Sequence, residues 1–75
     1  DVRGQTGDDA YFIIDRYFES AIMAHYETVT IIHGKGTGAL RTAVWQQLKS
    51  DKRVRSFRSG RYGEGDTGVT VVELK

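Results

Sequence analysis

The 75-residue chain contains no cysteine and no proline. Without cysteine there are no disulfides and no thiolate metal sites, so stability has to come from packing. Without proline, the nine glycines are left as the main punctuation. No apolar run approaches the length of a membrane span and no signal peptide is recognisable, so no membrane partner is expected and the default compartment is the cytoplasm. Strong charge is lacking too: the formal net charge is +1, which excludes a molecule drawn to nucleic acid by bulk charge alone.

What is present is ordinary for a globular domain, with 39% hydrophobic and 28% charged residues. The length allows one core, so residues 1–75 read as a single domain, and the opening Asp1-Val2-Arg3-Gly4 reads as a domain excised from something longer. Charge is unevenly spread. Lys49, Lys52, Arg53, Arg55, Arg58 and Arg61 crowd residues 49–61, a run that is either a solvated face or a cationic surface.

Periodicity supplies the elements. Ala10, Ile13, Ile14, Tyr17, Phe18, Ala21 and Ile22 recur at helical spacing after the acidic pair Asp8-Asp9, predicting an amphipathic helix from about Asp8 to His25. The β-branched run Thr28-Val29-Thr30-Ile31-Ile32 predicts a strand, and Leu40, Val44, Gln47 and Leu48 share one face of a second helix over residues 38–50. Residues 54–58 and 68–74 alternate and predict a hairpin closed by a long glycine-rich loop. With Asp1–Arg3 as a first strand, the order is β-α-β-α-β-β, a four-stranded mixed sheet with two helices: a helix-connected parallel pair followed by an antiparallel edge. Asp1, Arg3, His33, Lys35 and Arg41 are then expected to gather at one end of the sheet, with the basic strand extending that surface.

The central stretch Ile31-Ile32-His33-Gly34-Lys35-Gly36-Thr37-Gly38 reads as a strand entering a glycine-rich turn that opens a helix. Such a turn brings backbone N–H groups, an imidazole and an ammonium to one place, which suits an anion. Its plainer reading is a tight connection whose glycines are chosen for positive φ. Residues 34–39 formally match the dinucleotide fingerprint, but Lys52, Arg53 and Val54 stand where the ribose-binding acid is required, so that reading fails. His33 is either a structural histidine or a proton shuttle for phosphodiester cleavage, with Lys35 stabilising charge on the phosphoryl oxygens. Asp1 is the only acid placed to ligate a divalent ion, and Arg61 and Tyr62 suggest a surface for unpaired bases.

Taken in order, Asp1-Val2-Arg3-Gly4, the stretch from Ile31 to Arg41, and Gly68-Val69-Thr70-Val71-Val72-Glu73-Leu74 resemble the Smr (small MutS-related) domain family, in the version that closes bacterial MutS-II-type proteins. The resemblance spans essentially the whole chain. It implies a two-layer α/β sandwich, nucleic-acid binding and endonuclease activity on DNA or RNA, with Mg²⁺ or Mn²⁺ as the cofactor candidates. It implies attachment to ATPase domains of a longer chain that acts in suppression of recombination or in ribosome rescue, with DNA, structured RNA or the ribosome as partner. A non-catalytic module that recruits the ATPase to DNA, RNA or the ribosome is the other reading. Matched by motif, Asp1, His33 and Lys35 become the catalytic candidates. Arg3, Gly34, Lys35, Gly36, Gly38, Arg41, Arg58 and Arg61 become the phosphate-binding candidates. Many members carry histidine where Arg3 stands, so a two-histidine mechanism is not available to this chain.

Overall fold

The computed structural model describes residues 1–75. Helix α1 (Gly7–Met23) leads through a tight turn to strand β1 (Thr28–Ile32). Helix α2 (Ala39–Ser50) and strand β2 (Val54–Ser59) follow, then a 3₁₀ turn (Asp66–Gly68) and strand β3 (Val69–Leu74). Thr6 caps α1, its hydroxyl accepting from the Asp9 N–H at 3.1 Å, while Asp8 and Asp9 face the positive end of the helix dipole. No glycine ends this helix. His25 takes the left-handed conformation instead, at φ 62°, and the Tyr26 N–H reaches back to the Ala21 carbonyl.

The sheet has three strands in the order β1-β3-β2, and both pairings are antiparallel. This corrects the expected four-stranded mixed sheet. Asp1–Arg3 is no strand: one backbone bond, from the Val2 N–H to the Ile32 carbonyl at 2.8 Å, ties it to β1, and one bond is not a ladder. The Asp1 carboxylate folds back onto the Arg3 N–H at 3.0 Å, and Gly4 at φ 81° turns the chain away. The parallel pair therefore does not exist, although the overall α/β character holds. The hairpin of β2 and β3 forms as the alternation predicts, and it places the last strand in the centre of the sheet.

Both helices cover the sheet face that carries Val29 and Ile31 of β1 and Val72 and Leu74 of β3. Ala10, Ile14, Phe18 and Ala21 come from α1, Val44 and Leu48 from α2, and Val2 joins the same cluster without belonging to a strand. The buried stripe of α1 is narrower than the sequence suggests, since Ile13 and Tyr17 remain 40% and 46% exposed. Arg53 links the layers: it donates to Asp15 of α1 and to Asp51 at the end of α2, each at 2.7 Å, with its guanidinium over the Phe18 ring. That bonding holds the Asp51 carboxyl below its ordinary range and raises the Arg53 guanidinium.

Candidate functional site

Directly after β1 the chain turns through His33–Gly38 into α2. Gly34 at φ 80° and Gly38 at φ 86° occupy the left-handed region, which side-chain-bearing residues enter at a cost, so the turn depends on glycine. The turn is fastened from below, because the N–H groups of His33 and Gly34 both donate to the Gly68 carbonyl, at 3.1 and 2.9 Å. Helix α2 begins without a side-chain cap from Gly38. Its first backbone bond runs from the Thr42 N–H to the Gly38 carbonyl, so the N–H groups of Ala39, Leu40 and Arg41 lie ahead of the ladder, and only that of Ala39 finds a partner nearby, at Thr37 Oγ1.

A cleft of about 500 Å³ opens over this helix end, lined by Gly4–Gly7, by the whole turn from His33 to Arg41, and by Ala43. No carboxylate lines it. The first turn of α2 has no acidic residue either, so the positive end of the helix dipole is uncompensated there. Lys35 is 65% exposed and only loosely paired, its Nζ 3.9 Å from Asp66. Arg41 lies with its guanidinium 4.1 Å from the centre of the Trp45 ring, Nη2 donates to Ser59 Oγ at 2.7 Å, and Nε is buried with no partner.

The structure thus brings His33, Gly34, Lys35, Gly36, Gly38 and Arg41 to one cleft and leaves four other candidates outside its lining. Asp1 and Arg3 form an exposed pair at 2.6 Å, and the Arg3 stem lies against Gly34. Arg58 is bonded to Glu64, and this pairing, with the Arg61 N–H, pulls the Glu64 carboxyl down to about 2. Arg61 stands on the same loop beside Tyr62, which is 96% exposed. Of the basic run, Arg53 and Arg58 are therefore already engaged by carboxylates. No three His, Asp or Glu side chains converge. Since Arg3 already occupies both oxygens of Asp1, the residues present do not make a divalent-ion site.

His33 itself is 5% exposed, and both of its ring nitrogens are engaged: Nδ1 with the Gly34 carbonyl at 2.9 Å and Nε2 with Thr70 Oγ1 at 2.8 Å.

The Smr domain model matches residues 1–75 in full. The chain belongs to the Smr domain family. Among its relatives, Endonuclease MutS2 of Caldicellulosiruptor bescii is 57% identical over all 75 residues, and Endonuclease MutS2 of Geobacillus kaustophilus 53%. In each case the chain spans about a tenth of the relative's length. The crystal structure of the Smr domain of Thermus thermophilus MutS2 superposes with a TM-score of 0.96 at 46% identity, covering 99% of this chain and 92% of that one. YdaL, a stand-alone small MutS-related protein from Escherichia coli, shares the fold at a TM-score of 0.89 and 22% identity, over 96% of this chain and 60% of its own.

Two residues of this Smr domain reach the site without having been picked out from its sequence. Thr70 reads as one member of an alternating strand, and Trp45 as a flank of a helix face. Their hydroxyl and indole N–H meet 2.8 Å apart beneath His33. A hydroxyl at a strand position whose neighbours Val69 and Val71 are apolar was the one available signal.

Proposed function

We propose that this domain grips a nucleic-acid backbone in the cleft at the start of α2 and is the phosphodiester-cleaving module of an endonuclease. The observation that carries the reading is the cleft itself. Unpaired helix N–H groups, Lys35 and Arg41 converge where no carboxylate opposes an anion. The name endonuclease given to relatives more than 50% identical supports the same reading.

The N–H groups of Leu40 and Arg41 hold one phosphate, and the mobile ammonium of Lys35 follows charge as it builds on the phosphoryl oxygens. His33 supplies the proton. In its imidazolium form Nε2–H donates to Thr70 Oγ1, and Nδ1–H passes to the leaving oxygen once substrate displaces the Gly34 carbonyl. Asp1, held by Arg3 beside Gly34, orients the attacking water and takes its proton as the water oxygen bonds to phosphorus, with Arg3 offering a further phosphate contact. Arg61 extends the path of the strand, and Arg58 joins it only by exchanging Glu64 for a phosphate. The substrate is DNA or structured RNA, and the setting is a cytoplasmic MutS-II-type protein whose ATPase acts in suppression of recombination or in ribosome rescue.

The test is cleavage of supercoiled plasmid and of structured RNA, each with and without Mg²⁺ or Mn²⁺, by the wild type and by His33→Ala. A general acid contributes about 10²–10⁴-fold, so the variant is expected to lose cleavage by at least the lower figure while still binding. Cleavage by the variant at the wild-type rate refutes the catalytic role.

One observation favours the second reading, a binding module that recruits an ATPase to DNA, RNA or the ribosome: every polar side-chain atom of His33 and Asp1 already has a partner within the domain. That reading predicts steep salt dependence of binding with no strand scission.

A further inference from the structure

Thr70 enters the cleavage reading only as the acceptor for the imidazolium and Trp45 not at all, yet the two meet directly beneath the imidazole. Thr70 is completely buried on the central strand, and its Oγ1 lies 2.8 Å from Nε1 of Trp45 and 2.8 Å from Nε2 of His33. Only one proton arrangement of a neutral ring satisfies every contact. A carbonyl oxygen accepts and never donates, so the His33 nitrogen facing the Gly34 carbonyl, Nδ1, carries the proton. Nε2 is then a bare lone pair and receives the Thr70 hydroxyl proton. The indole N–H is a donor only, so Thr70 Oγ1 accepts from Trp45 and its own proton cannot turn that way. The hydroxyl is aimed at His33 by exclusion.

The chain of bonds therefore has a direction. It runs from Trp45 on α2 through Thr70 on β3 to His33, and ends on the carbonyl of Gly34 in the anion turn. In a trans peptide the carbonyl of one residue and the N–H of the next point to opposite sides. Holding the Gly34 carbonyl against the imidazole thus turns the Lys35 N–H the other way and sets that peptide plane in the free domain, before a phosphate arrives. The same indole carries the Arg41 guanidinium on its face at 4.1 Å, and the Phe57 ring, 5.0 Å away at 78°, packs edge-on against it.

We propose that Trp45 and Thr70 are positioning residues of the phosphate cleft. Trp45 holds Arg41 with its ring face, and with its N–H it orients, through Thr70 and His33, the Gly34–Lys35 peptide. The assignment rests on the cleft being the phosphate site.

The test uses the 75-residue chain with ¹⁵N-labelled histidine, as wild type, Trp45→Phe, Thr70→Val and Thr70→Ser. Binding of a short single-stranded oligonucleotide is measured alongside. Trp45→Phe keeps an aromatic face for Arg41, although a smaller one, and removes the donor. In the wild type with a neutral ring, Nδ1 of His33 is expected to be protonated and Nε2 bare. In Trp45→Phe and Thr70→Val the two nitrogen shifts should move toward each other as the other tautomer gains population, and Thr70→Ser should restore the wild-type pattern. Affinity of Trp45→Phe should fall by roughly two- to tenfold, the scale of one hydrogen bond lost from a network. An Nε2-protonated ring in the wild type, or His33 shifts unchanged in Trp45→Phe, overturns the relay, and oligonucleotide binding by the wild type would then leave the cleft reading intact. A wild type that binds no oligonucleotide overturns the cleft reading, and with it the assignment of these residues to a phosphate site, even where the ring shifts behave as expected.

Discussion

Replacing Thr70 by valine removes one oxygen and strands two nitrogens. His33 Nε2, on a ring 5% exposed, loses its donor, and Trp45 Nε1 loses its acceptor. A buried polar atom left unpaired costs about 1–3 kcal/mol, and that range applies to His33; the half-buried indole recovers part of its loss from water, leaving ~0.5–1 kcal/mol. The added methyl returns up to ~0.8 kcal/mol of transfer free energy. The expected net destabilisation is about 1–3 kcal/mol, against a total stability of roughly 4–11 kcal/mol for a chain of this length. The melting temperature should fall by about 4–8 °C per kcal/mol lost. Urea unfolding read by fluorescence is the assay, since Trp45 is the only tryptophan and reports from the network itself. The midpoint should drop at constant m, because the surface exposed on unfolding hardly changes. A Thr70→Val midpoint indistinguishable from that of the wild type would refute the reasoning, since it would mean that neither nitrogen depends on the hydroxyl.

Lys35→Ala should weaken binding of the single-stranded oligonucleotide and make the log–log salt dependence shallower by about 0.7, the share of one neutralised phosphate on a single strand, as read by fluorescence anisotropy at several salt concentrations. The depressed carboxyls of Glu64 and Asp51 stabilise the fold above their unfolded values, near 4.5 and 3.8, and that contribution is lost as pH falls through their folded values, about 2 for Glu64. Melting temperature against pH should therefore decline below about pH 4.5, and Arg53→Met should flatten the part due to Asp51. His25→Gly should raise stability by ~0.5–1 kcal/mol in urea unfolding, because glycine adopts the left-handed conformation at φ 62° without the steric cost that a side chain meets. Phe18→Ala empties the centre of the core and should cost about 3–5 kcal/mol, read as a lowered midpoint in urea unfolding.

The two helices and three strands can all be read from residue spacing to within a residue or two, because helical and strand periodicity, the acidic pair Asp8-Asp9 and the Gly38 boundary are local properties. The turn from His33 to Gly38 is legible for the same reason, since glycines at every second position around a lysine report on backbone conformation at those positions alone. The Asp1–Arg3 segment misleads because an extended tripeptide beside a glycine looks the same whether it makes one bond to a neighbouring strand or many. The basic run misleads in another way. Composition counts charges, whereas the structure sets Arg53 against Asp15 and Asp51, and Arg58 against Glu64.

The sequence by itself determined the two helices, the β2–β3 hairpin, the glycine-rich turn from His33 to Gly38 and the membership of the Smr family. All of these are carried by neighbours along the chain or by motif. Tertiary structure alone decided that the last strand lies in the middle of the sheet, that Asp1–Arg3 adds no fourth strand, and that Trp45, Thr70 and His33 share one hydrogen-bonded chain. His33 and Thr70 are 37 positions apart, and Trp45 and Thr70 are 25. Local spacing constrains which face of an element is buried. Which distant donor meets which acceptor is settled when the faces pack, because a buried polar atom must then find a partner or lose the water it gave up.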